Sequence, residues 1–305
     1  MVDRDDVCVL IPTLDEAETI GDVVDGFREH GFTNVLVVDG DSDDETRGIA
    51  TERGARVVVQ TGAGKGQAVR EALEHIEAPY VLMVDGDGTY RPEDADTMLE
   101  PLVSGEYEHV IGNRFADMAP GAMSRVNHAG NRLINWAFGL MHGPEFRDIL
   151  SGYRAFTRKS AERMTLDATG FGIETEMAVE CAKRDISTGV VPIRYEPRPD
   201  GSETNLRPLR DGSLIVVTLY QLARTNNPLF YFGSVGLSTM LLGAFVASYV
   251  GYRWFVHGVG HEVLALVAGV AILLGFQIVM FGLLSDLIVT LHREQMQRFH
   301  EERER

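Results

Sequence analysis

Two long runs carry no charged residue, 24 residues from Leu229 to Tyr252 and 23 from Val263 to Ser285. Each, coiled as a helix, is long enough to cross a hydrocarbon core of about 30 Å. Two membrane helices are expected, with a buried helical hairpin in a soluble fold as the ordinary alternative. Arginines at 207, 210, 224, 293 and 298 flank the pair, against Arg253 alone between the runs. That bias puts both flanks on the cytoplasmic side of a cell membrane crossed twice. The opening "MVDRDDV" is acidic and lacks the pattern of a secretory signal, so the first ~225 residues are expected to stay cytoplasmic. The expected organisation is a cytoplasmic domain over 1–205, an interfacial segment over 206–227, a hairpin over 228–291 and a charged tail over 292–305.

Before the apolar runs, β-branched stretches alternate with helical patterns. "VCVLI" (7–11) precedes a helix over 16–29 with Ala17, Ile20, Val23, Val24 and Phe27 on one face. "VLVV" (35–38), a short helix over 44–52, "RVVV" (56–59), a helix over 65–76 and a strand from Tyr80 follow. This rhythm predicts an α/β domain, a mostly parallel sheet with helices on both faces. Ligands bind such sheets at the C-terminal strand ends, where Pro12-Thr13, Asp39 and Asp85-Gly86-Asp87 fall. A helix over 124–141 is amphipathic, with Arg125 and Arg132 on one face and Leu133, Trp136, Ala137 and Leu140 on another. It and the uncharged segment 212–223 suit the membrane interface, or else pack on the sheet. A net charge of −17 argues against a nucleic-acid partner, which would favour a basic surface. Two cysteines, Cys8 and Cys181, offer neither a disulfide framework nor metal spacing.

The strand "YVLMV" runs directly into "DGDGTY". Buried carboxylates are costly unless a positive group meets them. An EF-hand loop would require Gly at its sixth position and Glu at its twelfth, where this chain has Tyr90 and Asp96. Two readings stay open: an aspartyl nucleophile of haloacid-dehalogenase type, whose motif belongs on a first strand, and an Asp-x-Asp that holds Mg²⁺ or Mn²⁺ against a diphosphate.

In order and spacing, "VLIPTLDEAETI", "VLVVDGDSDDET", "GAGKGQAVREAL", "YVLMVDGDGTYRPED", "VIGNRF" and "DILSGYRAFTR" resemble the family 2 glycosyltransferases of GT-A fold. The resemblance covers roughly residues 5–200. With the apolar runs, it narrows to polyprenyl- or dolichyl-phosphate sugar synthases. Only three of the 28 basic residues are lysine, beside 45 acids, a composition similar to that of salt-adapted archaea. The resemblance implies inverting transfer of a hexose, glucose from UDP-glucose, to dolichyl phosphate for S-layer protein N-glycosylation. A GDP-mannose-dependent mannosyltransferase is the alternative, and a non-catalytic scaffold for glycan enzymes the other. Departures from the family pattern are Asp15 for Asn, Gly40 for the second Asp of "DDGS", Thr89 for Gln, and "QLART" (221–225), which lacks the Trp of processive synthases.

Carried over residue by residue, the resemblance puts Pro12, Thr13, Glu16 and Asp39 around the nucleotide base and ribose. Lys65, in a Gly-rich loop entering a helix, suits the diphosphate. Asp85, across Gly86 from Asp87, would reach the ribose or metal-bound water, Asp87 the metal, with Thr89 as a further ligand. Arg114, Arg125, Arg132 and Arg198 are the acceptor-phosphate candidates, because guanidinium forks match phosphate oxygens. Asp148 and Ser151-Gly152 fall in the acceptor-side loop, with Arg114, Asp148 and Arg198 joining the aspartates as catalytic candidates. Plainer roles exist: Glu16 as helix N-terminal charge, Lys65 and the arginines as solvated side chains, and Asp148 as the partner of a neighbouring Arg. Because a phosphate acceptor is ionised at neutral pH, no general base is required, and Asp148→Asn is expected to cost less than about tenfold.

Overall fold

The computed structural model describes residues 3–142, 146–167, 172–199 and 228–304, side chains excepted at 140–142 and 292–304. The chain divides into two compact units, Met1–Val217 and Thr218–Arg305. The proposed interfacial segment 206–227, "QLART" and the Gly and Ser of the loop after Arg198 lie outside the described residues.

The first unit holds a seven-stranded sheet in the order β3-β2-β1-β4-β6-β5-β7. Its strands are β1 (Val7–Thr13), β2 (Val35–Asp39), β3 (Arg56–Val59), β4 (Tyr80–Met83), β5 (His109–Met118), β6 (Arg154–Thr157) and β7 (Thr188–Tyr195). β1, β2, β3 and β4 pair in parallel, as do β5 and β7, while β6 runs antiparallel to both neighbours. The mostly parallel expectation therefore holds with one strand reversed. All seven residues of β1 and all five of β2 are buried. Unbroken apolar strands of this kind require cover on both faces.

One face packs on α1 (Ile20–Glu29) and α4 (Ala95–Val103), the other on α3 (Lys65–Glu74) and α7 (Ile173–Lys183). The remaining helices of this unit are α2 (Thr46–Glu52), α5 (Arg125–His142) and α6 (Arg158–Arg163). In α1 the buried residues Ile20, Val23, Val24 and Phe27 repeat at helical spacing. α1 starts four residues later than the pattern suggested, because Asp15, at φ 54°, turns the chain sharply first. Asn and Asp are the residues that tolerate this left-handed region, so Asp15 replaces the family's Asn without disturbing the turn.

In α5 the buried residues are Ile134 and Phe138, while Val126, Leu133 and Trp136 are exposed beside Arg125 and Arg132. The helical pattern identified the apolar residues, but the separation into an Arg face and a Leu133/Trp136 face was wrong. Both kinds of side chain share one exposed arc, and a different pair enters the core.

The second unit is a hairpin of α8 (Pro228–His257) and α9 (Glu262–Glu304). α8 and residues Glu262–Leu291 of α9 are each 30 residues long and apolar enough to cross a membrane. Glycines set their contact: a Cβ added at Gly275 would lie 2.7 Å from the Met240 nitrogen, and one at Gly243 2.9 Å from the Ala268 oxygen. Such close backbone approach is how apolar helices associate where no hydrophobic effect separates them from lipid. Gly275→Leu should therefore lower the Tm of the detergent-solubilised protein by several degrees, whereas Gly269→Leu, with open space around its Cβ, should leave it unchanged. Equal Tm values for the two variants would contradict this packing.

Candidate active site at the strand ends

Register builds the site. Thr13 pairs with Asp39, and Leu10 with Met83, so β1 runs three residues beyond the last β4 pair and the chain from Asp85 to Asp87 crosses its end. Thr19 Oγ1 donates to the Gly86 carbonyl at 2.7 Å, and a Cβ at Gly86 would stand 3.1 Å from Thr13 Oγ1. Glycine is needed at 86 because this crossing is tight. The loops after β1 and β2 are joined by side-chain bonds: Asp15 N donates to Ser42 Oγ, Glu16 N to Thr46 Oγ1 and Asp43 N to Asp15 Oδ1, each at 2.9 Å.

Each carboxylate of the Asp-x-Asp pair meets a cation from a distant segment. Lys65 Nζ, at the start of α3, bridges Asp85 Oδ1 and Glu174 Oε1. Burial works against the ammonium, but the two carboxylates more than offset it and hold Lys65 above the ordinary lysine range. Asp87 is buried; Thr89 donates to its Oδ1 through N at 3.1 Å and Oγ1 at 2.6 Å, and Arg198 Nη2 reaches its Oδ2 at 2.8 Å. Burial and the Asp85 charge push the Asp87 carboxyl upward, with Arg198 opposing. Arg198 Nη1 also lies 3.5 Å from Glu16 Oε1. Burial raises Glu16 to about 7, with Arg198 opposing and Asp87 adding to the rise.

Thr89 thus orients Asp87. Arg198 stands between the Glu16 and Asp87 carboxylates. Asp39 gives its oxygens to Ser42 N at 2.8 Å and Ser42 Oγ at 2.6 Å, so it organises its own loop. Pro12 precedes Thr13, the last residue of β1, whose buried Oγ1 has no hydrogen-bond partner among the described residues. The Oε1 of buried Gln60, which follows β3, is likewise unpartnered.

Gly152 brings the loop before β6 against Asp85: a Cβ there would fall 2.8 Å from the Asp85 carboxylate carbon. Tyr90 Oη accepts from Gly152 N at 2.9 Å. Arg154, fully buried, ties the same loop by donating to the Ile149 carbonyl at 2.7 Å and the Ser151 carbonyl at 3.0 Å. Its third partner, His109 Nε2 at 3.2 Å, must accept, since a guanidinium only donates. Burial, then Arg154, depresses His109 well below the usual value, which keeps it neutral. The buried Ser151 Oγ has no partner among the described residues.

Arg114 does not serve as an open phosphate ligand. Its Nε and backbone N reach Asp148 Oδ2 at 2.9 and 3.0 Å, its Nη2 reaches Asp148 Oδ1 at 2.8 Å, and Asn131 takes a further bond at 2.9 Å. Both residues are buried, and despite burial the Asp148 charge holds Arg114 well above its ordinary value. The plainer role of Asp148, partner of a neighbouring Arg, is the one observed. Arg125 and Arg132 are exposed on α5. Glu174 was missed: it lies in the first turn of α7 as "GIETEM", and only the fold brings α7 beside α3.

The donor set fits a hard divalent ion. Asp85 and Asp87 supply only oxygen, and the described residues contain no group of three or more His, Cys, Asp or Glu placed to hold a metal. Two carboxylates leave most of a coordination shell to substrate oxygens and water, which is how Mg²⁺ is usually held.

Residues 8–164 match the glycosyl transferase family 2 pattern, and the chain belongs to that family. It is 63% identical over 298 residues to glycosyltransferase AglJ of Haloferax volcanii, covering 97% of this chain and 98% of the relative. It is 33% identical over 214 residues to a dolichyl-phosphate hexose transferase of the same organism, covering 69% of this chain and 91% of that one. Among solved structures, glucosyl-3-phosphoglycerate synthase of Mycobacterium tuberculosis, in complex with Mn²⁺ and UDP-glucose, superimposes with a TM-score of 0.57 at 23% identity, over 72% of this chain and 78% of that one. That likeness confirms the GT-A fold. The protein is a glycosyltransferase, and the phosphatase reading of "DGDGTY" and the scaffold alternative fall away.

The Arg114–Asp148 pair changes the expectation of a mild Asp148→Asn effect. Stranding a buried guanidinium costs about 3–5 kcal/mol, so Asp148→Asn should unfold at markedly lower denaturant than wild type. Arg114→Met combined with Asp148→Leu should recover most of that loss. A single variant as stable as wild type would contradict the assignment.

Proposed function

We propose that this transferase moves a hexose, glucose from UDP-glucose, onto dolichyl phosphate with inversion, and so feeds protein N-glycosylation. The observation that carries the reading is the convergence of Asp85, Asp87, Lys65 and Arg198 at one strand end, a buried and a half-buried acid each matched by a cation, in a family 2 chain closely similar to AglJ. Asp85 and Asp87 would hold Mg²⁺ or Mn²⁺, which when bound offsets the charge gathering on the departing nucleoside diphosphate. Lys65, at a helix N-terminus, is placed to meet the same diphosphate. Thr13, Glu16 and Asp39 bound the nucleoside side, and the unpartnered Thr13 Oγ1 and Gln60 Oε1 are free to bond it.

The acceptor is argued from both units. A relative bearing the name dolichyl-phosphate hexose transferase aligns with two thirds of the chain, and α8 and α9 give it a membrane anchor with the catalytic unit on the cytoplasmic face. The exposed arc of α5 sets Arg125 and Arg132 beside Leu133 and Trp136, cationic and apolar together as a phospholipid-like surface requires. A phosphate oxygen of the acceptor attacks the anomeric carbon, the bond from that carbon to the diphosphate breaks, and the nucleoside diphosphate leaves. No proton moves, because a phosphate monoester with a second pKa of about 6 is already ionised. The product is a β-linked dolichyl-phosphate sugar.

Mass analysis of the lipid product from dolichyl phosphate and a panel of UDP- and GDP-sugars tests the reading. Dolichyl-phosphate glucose from UDP-glucose is expected, and a GDP-mannose-only product would replace the donor assignment. Asp87→Asn should lose about 10²–10³-fold in rate with its Tm preserved, and wild-type turnover in that variant would refute the ligand role. The rate should rise with pH through about 6 and then level, following the acceptor phosphate. A continued rise assignable to a protein base would overturn the base-free route.

A further inference from the structure

α9 carries two heptad seams on opposite sides. One, through Ala268, Ile272, Gly275, Val279 and Gly282, alternates by four and three residues and packs on α8. The other runs through Leu266, Val270, Leu273, Gln277, Met280 and Leu284, with the same alternation, and every one of these side chains is exposed. It extends to Val263 at one end and to Leu287 and Leu291 at the other, where exposure continues. The next positions in register are Glu294 and Arg298, so the apolar seam ends with the span.

Apolar positions on that seam say little alone, since lipid tails cover them as well as protein does. Gln277 is the exception. It stands near the middle of the Glu262–Leu291 span, about 20 Å from either end at 1.5 Å per residue, and its carboxamide makes no hydrogen bond to any described residue. At that depth no water can serve it. A hydrocarbon chain offers it neither donor nor acceptor. A second copy of the helix in the same orientation does, because a twofold axis along the membrane normal sets each Gln277 against its own equivalent at equal depth. Each carboxamide then donates to and accepts from the other. A lone amide residue in an otherwise apolar heptad seam is also the device that fixes register and pair number in coiled coils.

We infer that the open seam of α9, centred on Gln277, is a homodimer interface within the membrane. The inference rests on the membrane reading given above. The test uses the full chain in phospholipid vesicles, with self-association followed by energy transfer as the lipid-to-protein ratio is varied. Wild type should associate, Gln277→Leu should weaken association about tenfold, and Gln277→Asn should retain it. Oxidative cross-linking should join Leu273→Cys chains and leave Ala265→Cys chains, which lie off the seam, unjoined. A wild-type chain that stays monomeric, a Gln277→Leu variant that associates as wild type does, or cross-linking through Ala265→Cys alone would overturn the interface. Extraction of the membranes with alkaline carbonate separates the two readings. A chain retained in the pellet but monomeric refutes the seam alone, and a chain released to the supernatant refutes the membrane anchor beneath it.

Discussion

Two carboxylates just past the end of β4, Asp87 buried and Asp85 half-buried, impose the condition that the rest of the first unit meets. Negative charge withdrawn from water is tolerated only with positive charge beside it. The chain supplies that charge from two separate places, Lys65 at the start of α3 and Arg198 after β7. Each cation is in turn held by a second acid, Glu174 or Glu16. The result is a row of charges drawn from five segments, Glu174, Lys65 and Asp85 on one side and Asp87, Arg198 and Glu16 on the other, with the chain at Gly152 lying directly against Asp85. On the proposed function a diphosphate and its metal would add further charge of both signs beside these cations, so the groups that neutralise the two aspartates would also be those available to the donor.

Much of this was legible in the order of residues. An apolar run ending in Asp-Gly-Asp announces a strand end with work to do, and the alternation of β-branched stretches with helical patterns places that end in a parallel sheet. What escaped was long-range. Glu174 reads as one more acid in a helix, and only the packing of α7 beside α3 brings it to Lys65. Arg114 and Asp148 were visible as charged residues, but the letters do not tell a buried bidentate pair from an open phosphate ligand. β6 reversed direction because it hydrogen-bonds between β4 and β5, a pairing with no local signature. In α5 the period was right and its phase was not: asparagines at 127, 131 and 135 occupy the partly buried side, where Asn131 bonds Arg114 and Asn135 bonds the Ile149 nitrogen.

The two units have different surfaces, as the proposed lipid-linked product would demand. In the proposed reaction the water-soluble donor would be met by the sheet edge, and the acceptor's chain by a surface that tolerates hydrocarbon. Glycines in α8 and α9 close the hairpin by backbone contact, which leaves the bulky side chains of both helices pointing outward. Those side chains are apolar almost throughout, and the placement of one amide among them carries more information than the rest of that face.

Calorimetric titration of Mn²⁺ onto the full-length protein, with and without UDP or GDP, bears most directly on the carboxylate pair. The account predicts weak binding of the ion alone, much tighter binding when a nucleoside diphosphate shares its shell, and loss of both in Asp87→Asn. Ion binding that is indifferent to the nucleotide, or that survives unchanged in Asp87→Asn, would contradict it.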